Sequence, residues 1–263
     1  MVESSSQFAT RVPLQRVVDG IEIEQAIPLT SEGVRCEDAK LTDIEPRPRS
    51  TGIARAMNIM IALIALVLIS PVMLVFAVLV KLTSPGPIFY SQPRVGIDRR
   101  RSSVGSKTYD PRTSDLGGLP FMIYKFRTMY VGAEHQNHAV WATKEDARVT
   151  PVGRLMRKLR IDELPQLFNV LKGDMDIVGP RPERPSIFSR LRQHIADYPL
   201  RQRTRPGITG WAQINQCYDT CLDDVRRKVR YDLEYLLQRQ GVREDLRIMV
   251  KTVAVILFRK GGW

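Results

Sequence analysis

Ala56–Val80 reads AMNIMIALIALVLISPVMLVFAVLV, 25 residues without a single charge. About 20 apolar residues cross the hydrocarbon core of a bilayer, so this run is a membrane-helix segment. It begins after residue 50 and is not a secretory signal peptide. Ser70-Pro71 lies past its midpoint. Proline removes a backbone donor and crowds the carbonyl four residues back, and the residue before it is pushed from helical geometry. A kink or break is expected there. Two topologies follow: a kinked span that puts residues 1–55 and 81–263 on opposite sides, or a wedge that enters one leaflet and returns. The flanks carry Arg47, Arg49 and Arg55 before the run and Lys81 and Arg94 after it, so the positive-inside bias favours neither side.

The charge is uneven. The chain carries 40 basic and 28 acidic residues, net +12, whereas residues 1–50 hold six basic and nine acidic residues. The basic body calls for an anionic partner: nucleic acid, a phosphorylated substrate or an anionic membrane surface. Low aromatic content, 7%, and the absence of any nucleic-acid-binding motif argue against nucleic acid. Cys36, Cys217 and Cys221 form no C-x-x-C pair, and the three His are scattered, which excludes a zinc module and a disulfide-stapled fold. There is no P-loop and no G-x-G-x-x-G.

Three regions follow. Residues 1–52 read as a flexible tail, 53–81 as the membrane helix broken at Ser70-Pro71, and 82–263 as a catalytic domain. In the last, Pro-Gly-Pro at 85–87 marks a turn, and Ile88–Tyr90 and Phe121–Tyr130 have strand character. Residues 97–120 form a long basic loop. Residues 152–160, 163–172, 186–198 and 220–240 read as helices. The C-terminal stretch EDLRIMVKTVAVILFRKGGW is a helix with an apolar side and basic ends, expected to dock at a membrane interface rather than in a core.

RKLRIDELPQLFNV, residues 157–170, sets Asp162 and Glu163 side by side after Arg157, Lys158 and Arg160. The plain reading makes Asp162 a helix N-cap, with Pro165 in the first turn and Glu163 complementing the helix dipole. Capping leaves the basic residues unexplained. Lys125 and Arg127 in KFRTM, Arg181 in GPRP and Arg205 in RPG sit in turn-forming contexts, and arginine between prolines suits fixed recognition of a diphosphate. Two carboxylates beside phosphate-binding groups point to phosphoryl transfer: one can hold a divalent cation, one can attack phosphorus, and one can move a proton.

In order, ISPVML, TSPGPIFYSQPRVG, YKFRTM, RKLRIDELPQLFNVLKGDMDIVGPRP and RPGITGWAQIN resemble the bacterial sugar transferases, the monotopic phosphoglycosyl transferases, over roughly residues 55–260. The resemblance implies transfer of a sugar-1-phosphate from a UDP-sugar to a polyprenyl phosphate such as undecaprenyl phosphate, releasing UMP. This is the first membrane step in building exopolysaccharide, capsule, O-antigen or glycoprotein glycan. It implies Mg2+ and a mixed, helix-rich α/β core seated on the cytoplasmic face of the bacterial inner membrane by a re-entrant helix and amphipathic helices. By resemblance, Asp162 is the nucleophile, Glu163 assists through the metal or a proton, and both can ligate the metal. Arg157 and Arg181 then bind phosphate and nucleotide sugar, Lys125, Arg127 and Arg205 are further binding residues, and Ser70 and Pro71 break a re-entrant wedge. A homodimer and contact with downstream glycosyltransferases are also expected. The basic loop is longer than the family pattern, Arg160 stands where a small polar residue is commoner, and residues 1–50 have no counterpart in minimal members.

Overall fold

A computed structural model describes residues 52–98, 117–133, 146–216 and 221–258. The tail expected at the N-terminus and most of the basic loop lie outside the described residues, as do Cys36 and Cys217. The first element is α1, Gly52–Thr83. Among the described residues it is the one helix long and apolar enough to cross a membrane.

The helical backbone is continuous through Pro71. The physical reason lies in the preceding residue. Proline at 71 leaves the Val67 carbonyl without its helical donor, and the Ser70 hydroxyl donates to that same carbonyl at 2.9 Å. A local side-chain bond replaces the missing main-chain one, so the helix continues.

Both ends of α1 rest on the same body. Near its start, the Arg55 guanidinium donates to Val170 O at 2.6 Å and Leu171 O at 2.9 Å, and Asn58 Oδ1 accepts from Ile177 N at 2.9 Å. Ala62 joins the core formed by Ile123, Leu167, Val170, Met175, Trp211 and Ile248. Near its end, Met73, Phe76 and Val80 pack with Phe126 and Met156. Leu63, Ile64, Val67, Leu68, Leu74 and Val75 are exposed between and around these anchors.

The body is mixed α/β and rich in helix. Strands β1, Phe89–Val95, and β2, Pro120–Phe126, form an antiparallel pair in which Tyr90 faces Lys125 and Arg94 faces Phe121. The free edge of β2 is closed by Asn169, which accepts from Tyr124 N at 3.0 Å and donates to Met122 O at 2.7 Å. Helix α2, Pro151–Lys158, is capped by Thr150, whose hydroxyl accepts from Gly153 N at 2.9 Å. Helix α3, Gln166–Lys172, leads to β3, Asp176–Val178, which pairs in parallel with β4, Gly207–Thr209. Between them lie α4, Pro185–His194, and a 3-10 helix, Tyr198–Arg203. The chain closes with α5, Trp211–Asn215, α6, Leu222–Gln238, and α7, Val242–Phe258. In α7, Ile248 is fully buried in the core while Leu246, Val250, Val253 and Ile256 are exposed. The helix therefore serves the core with one face and leaves an apolar stripe on another.

The expected helices at 152–160 and 163–172 are shorter than the sequence suggests. The second begins at Gln166, because Pro165 occupies its N-cap position. The intervening residues do something else.

Candidate active site

After α2 the chain reverses at Arg160, whose φ of 58° and ψ of 18° are left-handed. A side chain bearing Cβ seldom adopts this conformation. The reversal ends one helix and starts a 3-10 turn, Ile161–Glu163. Asp162 is therefore inside a tight turn and is not the N-cap of the next helix, which corrects the capping reading. The turn carries both carboxylates inward, where each residue is 8% exposed.

Cations from distant segments converge on Glu163. Lys125 Nζ, brought by β2, donates to Oε1 at 2.8 Å. Arg181, from the turn after β3, donates through one Nη to Oε2 at 3.2 Å and through the other to Oε1. Arg160 reaches within 4.0 Å of Oε2. Burial alone would raise the Glu163 pKa, but Arg181 and then Lys125 outweigh it and hold the carboxyl well below its usual range. Glu163 is thus firmly ionised.

Asp162 is held differently. No hydrogen-bond donor meets its carboxylate among the described residues. Burial and then the Glu163 charge raise its pKa, against the opposing pull of Lys125, Arg157 and Arg181. Two neighbouring carboxyls are thus driven apart, a pattern typical of sites that divide chemical roles. Arg157 lies in the last turn of α2, where its Nε donates to Thr128 Oγ1 at 3.0 Å. Arg94 of β1 also acts on Glu163 and crowds Arg181.

Not every motif residue comes to the dyad. Arg127 is buried, and its guanidinium donates to Ser84 O and Pro85 O at 2.7 Å each. It fastens the turn after α1 to the end of β2. Arg205 pairs with Asp176 Oδ1 at 3.4 Å beside the parallel strand pair. Ser70 and Pro71 lie on the exposed middle of α1. Sequence reasoning treated Arg94 as a membrane flank and left Arg160 unassigned. The local signal for Arg94 was its place in a Pro-Arg-Val-Gly stretch; Arg160 carried none.

Among the described residues there is no cluster of three or more metal-ligating side chains. A fully protein-made metal cage is absent there, yet two adjacent carboxylates suit a magnesium ion shared with substrate phosphates, since this ion keeps few protein ligands. The Glu163 oxygens already accept from Lys125 and Arg181, so Asp162 is the better placed of the two.

The chain that carries this site is similar to known proteins. A UDP-N-acetylgalactosamine-undecaprenyl-phosphate N-acetylgalactosaminephosphotransferase of Aeromonas hydrophila is 43% identical over 218 residues, covering 83% of this chain and 47% of that protein. A UDP-glucose:undecaprenyl-phosphate glucose-1-phosphate transferase of Escherichia coli K12 is 41% identical over 201 residues, covering 76% of this chain and 39% of that protein. The chain thus spans less than half the length of these two relatives. The exopolysaccharide production protein ExoY of Sinorhizobium fredii is 32% identical over 223 residues, 80% of this chain and 87% of its own length. The bacterial sugar transferase pattern matches residues 49–259, a range that takes in α1, the carboxylate turn and α7 together, and the chain belongs to that family.

Proposed function

We propose that the protein transfers a sugar-1-phosphate from a UDP-sugar to a polyprenyl phosphate, undecaprenyl phosphate in the bacterial inner membrane, and releases UMP. The observation that carries this reading is the unequal treatment of the two carboxylates. Glu163 is clasped by Lys125 and Arg181, whereas Asp162 is buried, without a donor among the described residues, and raised in basicity. Such a carboxylate is a stronger nucleophile once ionised.

The Asp162 oxygen attacks the sugar-bearing phosphorus. A bond from that oxygen to phosphorus forms, the bond from phosphorus to the oxygen of UMP breaks, and UMP leaves. An oxygen of the polyprenyl phosphate then attacks the same phosphorus, and the Asp162 carboxylate departs, leaving a polyprenyl-diphosphate sugar. Lys125, Arg157 and Arg181 bind and orient phosphate oxygens, and Arg160 and Arg94 add positive potential. Five cations against two carboxylates leave a surplus that matches anionic substrates. Magnesium held by Asp162 and Glu163 with the substrate would neutralise diphosphate charge.

The same reading seats the core on the cytoplasmic face, with α1 as a re-entrant membrane helix. The contact of both ends of α1 with one body supports it. The exposed apolar stripe of α7 supports an interfacial role for that helix. Glycan assembly, a homodimer and hand-over to downstream glycosyltransferases belong to the same proposal.

The test is UMP release by purified protein with polyprenyl phosphate, magnesium and a panel of UDP-sugars. Without polyprenyl phosphate, the wild type should release a burst of UMP of about one per enzyme, and Asp162→Asn should release none while folding normally. Wild-type turnover by Asp162→Asn would remove Asp162 as the nucleophile.

A further inference from the structure

Arg181 stands between two prolines, and the four carbonyls from 180 to 183 are all hydrogen-bonded. Pro180 O accepts from Gly207 N at 3.0 Å. Arg181 O accepts from an Nη of Arg201 at 3.1 Å. Pro182 O accepts from an Nη of Arg94 at 3.1 Å. Glu183 O accepts from Val95 N at 2.9 Å. Pro180 and Pro182 supply no N–H and have fixed φ. The freedom that remains is in ψ and in the φ of Arg181 and Glu183, and these four donors restrict it.

Two of the donors are arginine side chains, of which Arg201 has no other evident task in the reaction. Arg201 is fully buried. Its Nε and an Nη bind Asp232 Oδ2 at 2.9 and 2.7 Å, and its other Nη donates to the Tyr198 hydroxyl at 2.9 Å. A buried ion pair is a poor way to gain stability, because desolvation offsets the attraction. This one ties α6 and the 3-10 helix to the main chain of the residue that holds Glu163. Arg94 is mostly buried on β1, lies 3.9 Å from Glu183, and donates also to Gln92 Oε1 at 3.1 Å. Glu183 in turn accepts from Lys228 at 3.1 Å.

The geometry points to Arg94 and Arg201 as positioning residues that set the Arg181 guanidinium by gripping the carbonyls on and beside it. This rests on the reading above, in which Arg181 orients substrate phosphate and Glu163. Both arginines act through the backbone, and neither need touch substrate. A lysine at either place keeps the positive charge but lacks the planar fork that reaches separate acceptors.

The test uses the full chain in detergent with 15N-labelled arginine. The Arg181 guanidinium signal is assigned by its loss in Arg181→Lys and followed in Arg94→Lys and Arg201→Lys, alongside UMP release. In each variant that keeps the wild-type circular dichroism, proton exchange at the Arg181 guanidinium should quicken about tenfold or more. Turnover should fall about tenfold to a hundredfold, the loss expected of a misplacement near 1 Å. Arg226→Lys, at an exposed pair with Asp223, should change neither. Arg94→Lys keeps the test decisive if Arg201→Lys does not fold. An unchanged Arg181 signal in the folded variants would overturn the inference. Absence of UMP release from the wild type would overturn the functional reading instead, with the Arg181 signal still deciding this one.

Discussion

At the residue scale, the turn between α2 and α3 makes two demands that can be tested. The first concerns protonation. In the proposed mechanism Asp162 must be ionised to attack, and burial and the Glu163 charge raise its pKa above the ordinary 3.8. Activity is therefore lost as pH falls through the raised value, and the acid limb of kcat/KM should sit above the usual aspartate range. Glu163→Gln removes the neighbouring negative charge and frees Lys125 and Arg181 to act on Asp162. Turnover should drop, and the acid limb should move to lower pH. An acid limb that stayed or moved upward would contradict the assignment. The second concerns the backbone. Arg160 sits at φ 58°, where glycine has no Cβ penalty and β-branched residues fit worst. Arg160→Gly should unfold no more easily than wild type, whereas Arg160→Val should cost about 1–2 kcal/mol, read from thermal or denaturant unfolding. The weak ion pair of Arg160 with Glu163, at 4.0 Å, contributes little beside this.

At the element scale, α1 shows how a proline is tolerated in a long apolar helix. The Ser70 hydroxyl serves the carbonyl that Pro71 strands. Ser70→Ala should destabilise the protein by about 1 kcal/mol, and the cost should vanish in a Pro71→Ala background, where the main-chain donor returns. Thermal unfolding of the two single variants and the double variant in detergent checks this, and additive losses would show that the serine has another role. The same helix illustrates what was legible beforehand. Its length and lack of charge could be read from the sequence, as could the strain at Ser70-Pro71. The resolution of that strain by one hydroxyl could not, because proline and serine propensities point the same way whether the helix breaks or is mended. The helix expected over 163–172 likewise hid a turn: nothing in the side-chain pattern says that Arg160 is left-handed.

At the scale of the whole molecule, the proposed topology rests on which parts of α1 touch the body. Arg55, Asn58 and Ala62 hold it near one end, and Met73, Phe76 and Val80 near the other. In the proposed re-entrant arrangement both sets of contacts persist in the membrane and the two flanks of α1 stay on one side of the bilayer. In intact cells, Cys36, Cys217 and Cys221 should all escape a membrane-impermeant thiol reagent. Labelling of Cys36 alone would mean that the segment spans and that one set of these contacts is lost in the membrane.

The chain by itself determined much of what matters here: an uncharged apolar helix, a basic body, paired carboxylates in a fixed sequence context, and the residue types able to bind phosphate. These are local properties, set by composition and spacing over a few turns. Only the tertiary structure decided how they combine. It brought Lys125 and Arg181, 38 and 18 residues from Glu163, to the same carboxylate. It turned Arg127 to the carbonyls of Ser84 and Pro85 and Arg205 to Asp176, and it enlisted Arg94 and Arg201 behind Arg181. The physical reason is that a basic side chain has the same reach and charge in any context. Which acceptor it finds depends on the register of β1 with β2, on the pairing of β3 with β4, and on the packing of α6, and these are settled only when the whole core closes.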